Sequence, residues 1–309
     1  MAEITATLVK QLRDRTGAGM MDCKKALVET QADFEAAVDW LRTKGLAAAA
    51  KKAGRVTAEG LVAVSLSEDG HTGVVVEINS ETDFVARNEA FCAYVEGVVA
   101  LASQAQGDLQ KLGNLPYGNG RTVQEELTQL VSLIGENLSL RRTSALSVSQ
   151  GAVFAYAHAA QKPGLGRIGV LVGLSSAVTS AKLAPLGKQL AMHIAASSPQ
   201  AVSVADLDPS AVAREKAVLM EQTRSSGKPE EIVAKMVEGR LQKFYQDVVL
   251  LEQPFVINPD LRVKQVLAEQ EKELGGPITV SGFVRFALGE GIEKQETNFA
   301  AEVAAQLSS

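Results

Sequence analysis

Cysteine is nearly absent from this chain. Two in 309 residues, Cys23 and Cys92, exclude a disulfide framework and suit a reducing compartment. Histidine is scarce too: His71, His158 and His193 are the only three, no two of them at metal-ligand spacing. With both cysteines standing alone, a zinc site finds no ligand set, and no metal or cofactor is expected. There is no Walker-type phosphate loop and no G-x-S-x-G elbow. GLGRIG (164–169) is glycine-rich, but it precedes an apolar run instead of opening a helix. It therefore lacks helix N-terminal amides to aim at a phosphate and reads as a turn. No apolar run approaches the roughly 20 residues that span a bilayer, so no membrane association is expected. The N-terminal MAEITATLVKQLRDRTG mixes both charge signs without a long apolar core, which reads as neither signal nor transit peptide and points to a cytoplasmic protein. Positive charge is not in excess: the net charge of -5 offers no gain from counterion release, so direct nucleic-acid binding is not expected. Asp and Glu are plentiful, yet none stand out as a paired catalytic set.

What is present is material for packed cores. The hydrophobic fraction of 46% argues against disorder, and 309 residues exceed one ordinary core, so two or more domains are expected. The first fifty residues read as helices. Ile4, Leu8 and Leu12 recur every four residues, Gly17 and Gly19 stop that helix, and a second runs through Cys23 and Leu27. A third begins at Asp33, an N-cap, carries Phe34, Val38 and Leu41 and is expected to end at Gly45. The Ala-rich LAAAAKKAGRVTAEG then reads as a helical linker ending near Gly54. The period changes next: LVAVSL and GVVVEIN, separated by SEDGHT, read as a hairpin. A helix from about Asn88 to Gln106 follows, then a loop including NLPYGNG, then a helix opened by the capping box Thr122-x-x-Glu125 and closed at Gly135.

The order then repeats, with AVFAYAHA and RIGVLVGLS as strands and a helix through Leu190 and Ile194. This weak likeness points to two related α+β subdomains. His193, inside an apolar helix pattern, reads as a satisfied packing residue. Two helical patterns follow, with Asp208 and Pro209 at the start of one, Gly227 as a stop and Pro229 in the first turn of the next. A link this short makes them an antiparallel hairpin inserted into the second subdomain. QPFVINPD reads as extended chain and turn, ITVSGFVRFALGEG as a late strand, and the tail as an amphipathic helix with Phe299, Val303 and Leu307 on one face.

Some apolar residues stand in unexpected places. Met20 and Met21 follow a helix break; they read either as members of the small core or as an adaptable binding surface. Phe84 sits in the polar turn ETDFVARN. It reads either as a core anchor, with Asp83 capping the next helix, or as a rigid aromatic presented to a partner. A carboxylate hydrolase or transferase and a ubiquitin-binding-like adaptor are the competing classes.

Several long motifs in register resemble the bacterial elongation factor Ts family over nearly the whole chain. They are LVKQLRDRTGAGMMDCKKAL, TDFVARN, RIGVLV, the HIAAS run, SGKP, the MVEGR run, QPFV and FALGEGIEK. The resemblance implies an α+β multidomain protein with an N-terminal three-helix domain of ubiquitin-associated type at 1–54. Core subdomains would cover 55–143 and 144–283, with a helical dimerisation insert at about 202–250 and a C-terminal module at 284–309. It implies a nucleotide-exchange factor, without covalent chemistry, that binds elongation factor Tu and speeds GDP release. By the same resemblance Thr82, Asp83, Phe84 and Val85 form the exchange wedge, and Ile134 and Gly135 line the same contact. Arg13, Met20 and Met21 would grip a helix near the guanine side, and His158, Val256 and Ile257 would hold the partner's third domain. A homodimer through the insert is a further implication. The chain departs from the family in a longer link, AAQKPGLG, after His158, in LGGP before ITVSG, and in Ser80 and Glu81 where Cys and Gln are frequent.

Overall fold

The computed structural model describes residues 4–16, 18–118, 120–224 and 229–293. Gly17, Gly227 and the tail residues Phe299, Val303 and Leu307 lie outside them. The chain is mixed helix and sheet, of the α+β class, and divides into two compact units. One comprises 1–61, 76–142 and 287–309, the other 62–75 and 143–286.

The first unit opens with α1 (Ala6–Thr16), α2 (Met20–Glu29) and α3 (Phe34–Lys52). Val9, Leu12, Cys23, Ala26, Leu27, Ala37 and Leu41 form one core between them. Asp33 caps α3 by accepting from the Ala36 amide at 2.9 Å, leaving one fewer orphan donor at the helix start. Gly45 does not end α3, which runs on through the Ala-rich stretch to Lys52. A mid-helix glycine costs about 1 kcal/mol relative to alanine. Here Ala, Leu and Lys beyond it favour the helix, and Gly45 itself is buried 3.6 Å from Gln129, measured from where its Cβ would stand.

The hairpin follows as β1 (Glu59–Leu66) and β2 (Thr72–Ser80), and then α4 (Glu89–Ala105). The cap of α4 is Asn88, whose Oδ1 accepts from the Phe91 amide at 3.1 Å; Asp83 does not cap it. The stretch read as loop contains three small elements: α5 (Leu109–Asn114) and the hairpin β3 (Pro116–Gly118) with β4 (Arg121–Thr122). Elements of six, three and two residues are shorter than one period window, which hides them from pattern reading. In α6 (Val123–Ile134) the capping box is complete: Thr122 Oγ1 accepts from the Glu125 amide at 3.2 Å and Glu125 accepts from the Thr122 amide at 3.0 Å. Those bonds, first the Thr122 amide, hold the Glu125 carboxyl below its ordinary range. Tyr94 ties α4 to α6 by donating to the Val123 carbonyl at 3.0 Å.

β5 (Leu138–Ser147) comes next, a strand with no alternating apolar pattern. In the second unit it is followed by β6 (Ala152–His158), β7 (Leu165–Gly166), β8 (Ile168–Ser175) and α7 (Ser180–Ser197). The hairpin helices are α8 (Pro209–Arg224) and α9 (Glu230–Val248), with Pro229 at the N-cap of α9 and not inside its first turn. β9 (Pro254–Phe255), β10 (Asn258–Arg262), α10 (Val263–Leu274) and β11 (Thr279–Ala287) complete the described chain. Strand orders are β5-β2-β1-β7 and β11-β8-β6. GLGRIG is more than a turn, because Gly166 pairs antiparallel with Val62.

β6 and β8 pair without a break from Ala152↔Leu174 to His158↔Ile168. Val170, Val172 and Leu174 of β8 share a core with Leu183, Leu186, Leu190 and Ile194 of α7. Each such side chain contributes about 1.5–3 kcal/mol on burial. His193 is buried in α7 beside this core. Its Nδ1 accepts from the Val256 amide at 3.2 Å and its Nε2 faces Gln253 Oε1 at 2.9 Å, and burial pushes its pKa down. The neutral ring is thus a satisfied packing residue. In the hairpin, Val212 packs with Phe244 and Val248, whereas Leu219 packs with Val233 and Val237. The start of α8 meets the end of α9, which makes the pair antiparallel.

One carboxylate gathers three distant segments of the first unit. Glu77 on β2 is fully buried. Its oxygens accept from Arg141 Nη1 at 2.8 Å, Arg142 Nε at 2.6 Å, the Gly289 amide at 2.8 Å and Asn79 Nδ2 at 3.1 Å. Arg142 also donates to the Ala287 carbonyl at 3.0 Å, and Arg141 to the Glu290 carbonyl. Burial alone would raise the Glu77 pKa; the Gly289 amide, the two guanidinium groups and Asn79 overcome that and hold it below 4.5.

Replacing Glu77 with Gln should remove about 3–5 kcal/mol of stability at neutral pH, because two guanidinium groups lose their buried partner. A group with a depressed folded-state pKa adds stability above its unfolded value of 4.5, and this is lost as pH falls through the lower folded value. Urea unfolding at a series of pH values should therefore show the gap between wild type and Glu77→Gln closing in acid; a gap independent of pH would contradict this account. Gly60 has φ +121, and a Cβ there would strike the Ile78 carbonyl oxygen and lie 2.9 Å from Asn79 Cα. Gly60→Ala should lower stability by more than about 2 kcal/mol, because the obstacle is backbone. Gly135, at φ +89 but with open space around it, should lose only about 1 kcal/mol on the same change.

Candidate functional site

The turn from Ser80 to Asn88 leaves β2 and enters α4. Val85 and Ala86 are buried and anchor it, and Val85–Arg87 form one 3-10 turn closed by the Arg87 amide on the Phe84 carbonyl at 3.1 Å. Ser80 Oγ holds the Thr82 carbonyl at 2.8 Å, and Cys92 Sγ donates to the Ala86 carbonyl at 3.2 Å. Phe84 stands on this frame in ordinary helical backbone, φ -62 and ψ -36, with its side chain in solvent. It is 79% exposed, the most exposed large apolar residue among those described. Of the two sequence readings, the core anchor is thereby excluded for the ring, and Val85 takes that role. An unburied phenyl forgoes a large hydrophobic gain, and such aromatics on rigid scaffolds dominate interface energetics. Asp83 beside it is exposed as well.

The turn is stitched to the segment after α6. Glu136 accepts from the Thr82 amide at 3.0 Å and from Thr82 Oγ1 at 2.6 Å. Glu81 returns the exchange by accepting from the Asn137 amide at 2.5 Å, and it pairs with Arg55 at 3.4 Å. Asn137 Nδ2 in turn donates to the Arg55 carbonyl at 2.8 Å. Thr82–Val85 and the half-buried Ile134 with exposed Gly135 are therefore held in one place. Glu136 was absent from the sequence reading of this site. Its only sequence signal was its position directly after the helix-stopping Gly135.

The remaining candidates fall into two further groups. In the first unit, Arg13 is exposed on α1, and Met20 and Met21 open α2 at 56% and 75% exposure. The core reading of the two methionines is overturned: Cys23, Ala26 and Leu27 occupy the buried face of α2. In the second unit, His158 is exposed at the end of β6, with its Nδ1 3.1 Å from the Tyr156 hydroxyl. The Arg167 amide donates to the His158 carbonyl at 2.9 Å, so the long link returns tightly to the strand end. Val256 and Ile257 form the exposed tip between β9 and β10, fixed from below by the bond from the Val256 amide to His193.

Among the described residues no three His, Cys, Asp or Glu side chains gather as a metal site. No helix among them is long and apolar enough to cross a membrane. The cavity beside α1, α3 and α6, about 560 Å³, is lined by Asp14, Arg15, Asp39, Arg42 and Arg121. Its cations are engaged: Arg15 with Glu35, Arg42 with Glu125 and Arg121 with Glu126. What the surface offers is a set of exposed apolar side chains on stiff turns, which is equipment for contact with another macromolecule.

Comparison with known proteins agrees with the motifs. A model of the family described as Elongation factor TS matches residues 81–290. Elongation factor Ts of Rhodospirillum rubrum is 59% identical over 309 residues, covering 99% of both chains. That of Rhodospirillum centenum is 60% identical over 98% of this chain and 99% of its own, and that of Parvibaculum lavamentivorans 58% over 99% of each. With a family match across more than half its residues and relatives this close over their full length, the chain belongs to the elongation factor Ts family of translation elongation factors.

Proposed function

We propose that this chain binds elongation factor Tu and promotes exchange of its GDP for GTP, acting by contact and without covalent chemistry. The observation that carries the proposal is the exposed Phe84 ring on a turn held by buried Val85 and Ala86 and by the Glu136 bonds to Thr82. GDP in a GTPase is held by Mg2+ bridging phosphate and by backbone amides around the phosphates. An aromatic wedge pressed against the elements supporting those groups weakens nucleotide binding, and the partner contacts elsewhere offset the distortion. Within Thr82–Val85, Phe84 and the exposed Asp83 are the face of this wedge and Thr82 and the buried Val85 hold it in place, with Ile134 and Gly135 beside it. Arg13, Met20 and Met21 supply a second contact near the guanine side. His158, Val256 and Ile257 supply a third, to a different domain of the GTPase. The division of labour follows the family plan: a three-helix module at 1–54, core subdomains at 55–143 and 144–283, and a helical insert at about 202–250 available for dimerisation.

A factor that changes nucleotide affinity by binding must have its own affinity changed by the same factor. Titration of elongation factor Tu with this chain should accordingly give weaker binding in saturating GDP than without nucleotide, by the ratio in which the chain weakens GDP binding. Unequal ratios would rule out simple coupling.

Phe84→Ala should leave folding unchanged within about 0.5 kcal/mol, since the ring is in solvent. Loss of a central aromatic contact of about 2–4 kcal/mol should slow fluorescent-GDP release about 30-fold or more. Absence of any acceleration by the wild-type chain would remove the proposal itself. Equal acceleration by wild type and Phe84→Ala would remove the wedge and leave the activity.

A further inference from the structure

We infer that Glu136 is a positioning residue for exchange: its carboxylate fixes the register of the Thr82–Phe84 turn, so that Phe84 transmits force to the partner instead of yielding. This rests on the wedge reading above. The geometry is specific. Both Glu136 oxygens are engaged by Thr82, one by its amide at 3.0 Å and the other by its hydroxyl at 2.6 Å. Hydrogen bonds to an ionised carboxylate are the shorter and stronger kind, and two from one residue fix orientation as well as distance.

The elements on either side of Glu136 are completed without its side chain. α6 is closed by the Gly135 amide on the Val131 carbonyl at 3.0 Å, and the next segment is held by the Asn137 amide on Glu81 at 2.5 Å. The carboxylate thus serves the turn more than the helix. Thr82 lies only two residues before Phe84, and the anchors after Phe84, Val85 and Ala86, are already buried. Without Glu136 the turn is fixed after Phe84 by Val85 and Ala86 and at its start by Glu81 on the Asn137 amide, while Thr82 between them keeps only the Ser80 hydroxyl on its carbonyl among the described bonds. A ring carried on such a turn still reaches a partner surface but cannot hold a displacement against it.

The distinction between contact and push gives the test. GDP release from elongation factor Tu is followed as a function of the concentration of wild type, Glu136→Gln, Phe84→Ala and the double variant, with thermal unfolding of each. Glu136→Gln keeps the shape: its amide oxygen can still accept from the Thr82 amide and its NH2 donate to the Thr82 hydroxyl oxygen, so both bonds persist without their charge assistance. It should lower the maximal release rate about tenfold, as exchange of charge-assisted for neutral hydrogen bonds does, and change the half-saturating concentration less than about threefold. In the Phe84→Ala background it should add nothing beyond about twofold. Thr82→Val should reproduce the rate loss and Thr82→Ser should restore it, which decides the matter even where Glu136→Gln folds poorly.

A full wild-type rate for Glu136→Gln or Thr82→Val overturns the inference. So does a loss that persists in the Phe84→Ala background, which would place Glu136 in direct partner contact or in general fold stability. A wild-type chain that fails to accelerate release, or a Phe84→Ala that equals it, overturns the wedge reading itself. Those outcomes are distinct from a wild type that works, a Phe84→Ala that fails and a Glu136→Gln that is unaffected, which removes only the role of Glu136.

Discussion

A buried carboxylate must find opposite charge or hydrogen-bond donors, because desolvating an unpaired ion costs several kcal/mol, a large share of a domain's whole stability. Glu77 meets that demand with Arg141, Arg142, Asn79 and the Gly289 amide, and in doing so it joins β2, β5 and the segment after β11. These residues are up to 212 positions apart in the chain. This arrangement of the three segments satisfies the charge, and a pairing that left the carboxylate buried without these donors would be strongly disfavoured. It also explains why β5 carries two arginines where a strand facing a core would carry valine or isoleucine.

The consequence reaches the functional surface through β2. Glu77 fixes that strand three residues before its end at Ser80, and the turn bearing Phe84 leaves directly from there. Two more carboxylates, Glu81 and Glu136, then lace the turn to the segment after α6 by exchanging bonds with Asn137 and Thr82. Each step transfers rigidity from the sheet toward an aromatic ring that has no packing of its own. The exchange activity proposed above calls for a stiff projection more than for an acid, a base or a nucleophile.

The legible parts of the fold were those set by local chemistry. Asp33, the Thr122–Glu125 box and Asp208 with Pro209 each mark a helix start, because the orphan amides of a first turn are satisfied within three residues. The start of α4 near Asn88 is legible, whereas the alternative of Asp83 as its cap fails because the 3-10 turn Val85–Arg87 intervenes. α5 and the β3–β4 hairpin are too short for a period. α10 lies just beyond QPFVINPD, and its buried Val263, Val266 and Leu267 follow helical spacing. Gly45 reads as a stop from sequence alone, and its burial against α6 makes it a contact instead.

The sequence by itself determined the family and the helix and strand types of the longer elements, since motif order and periodicity are properties of neighbours along the chain. Tertiary structure alone decided which apolar side chains face solvent. Phe84, Met20 and Met21 have the composition of core residues, and only the prior occupation of the cores by Val85, Cys23, Ala26 and Leu27 leaves them outside. It alone also brought Glu136 to Thr82, across 54 residues, because a carboxylate's choice among hydrogen-bond donors is settled by where the packed helices and strands place them.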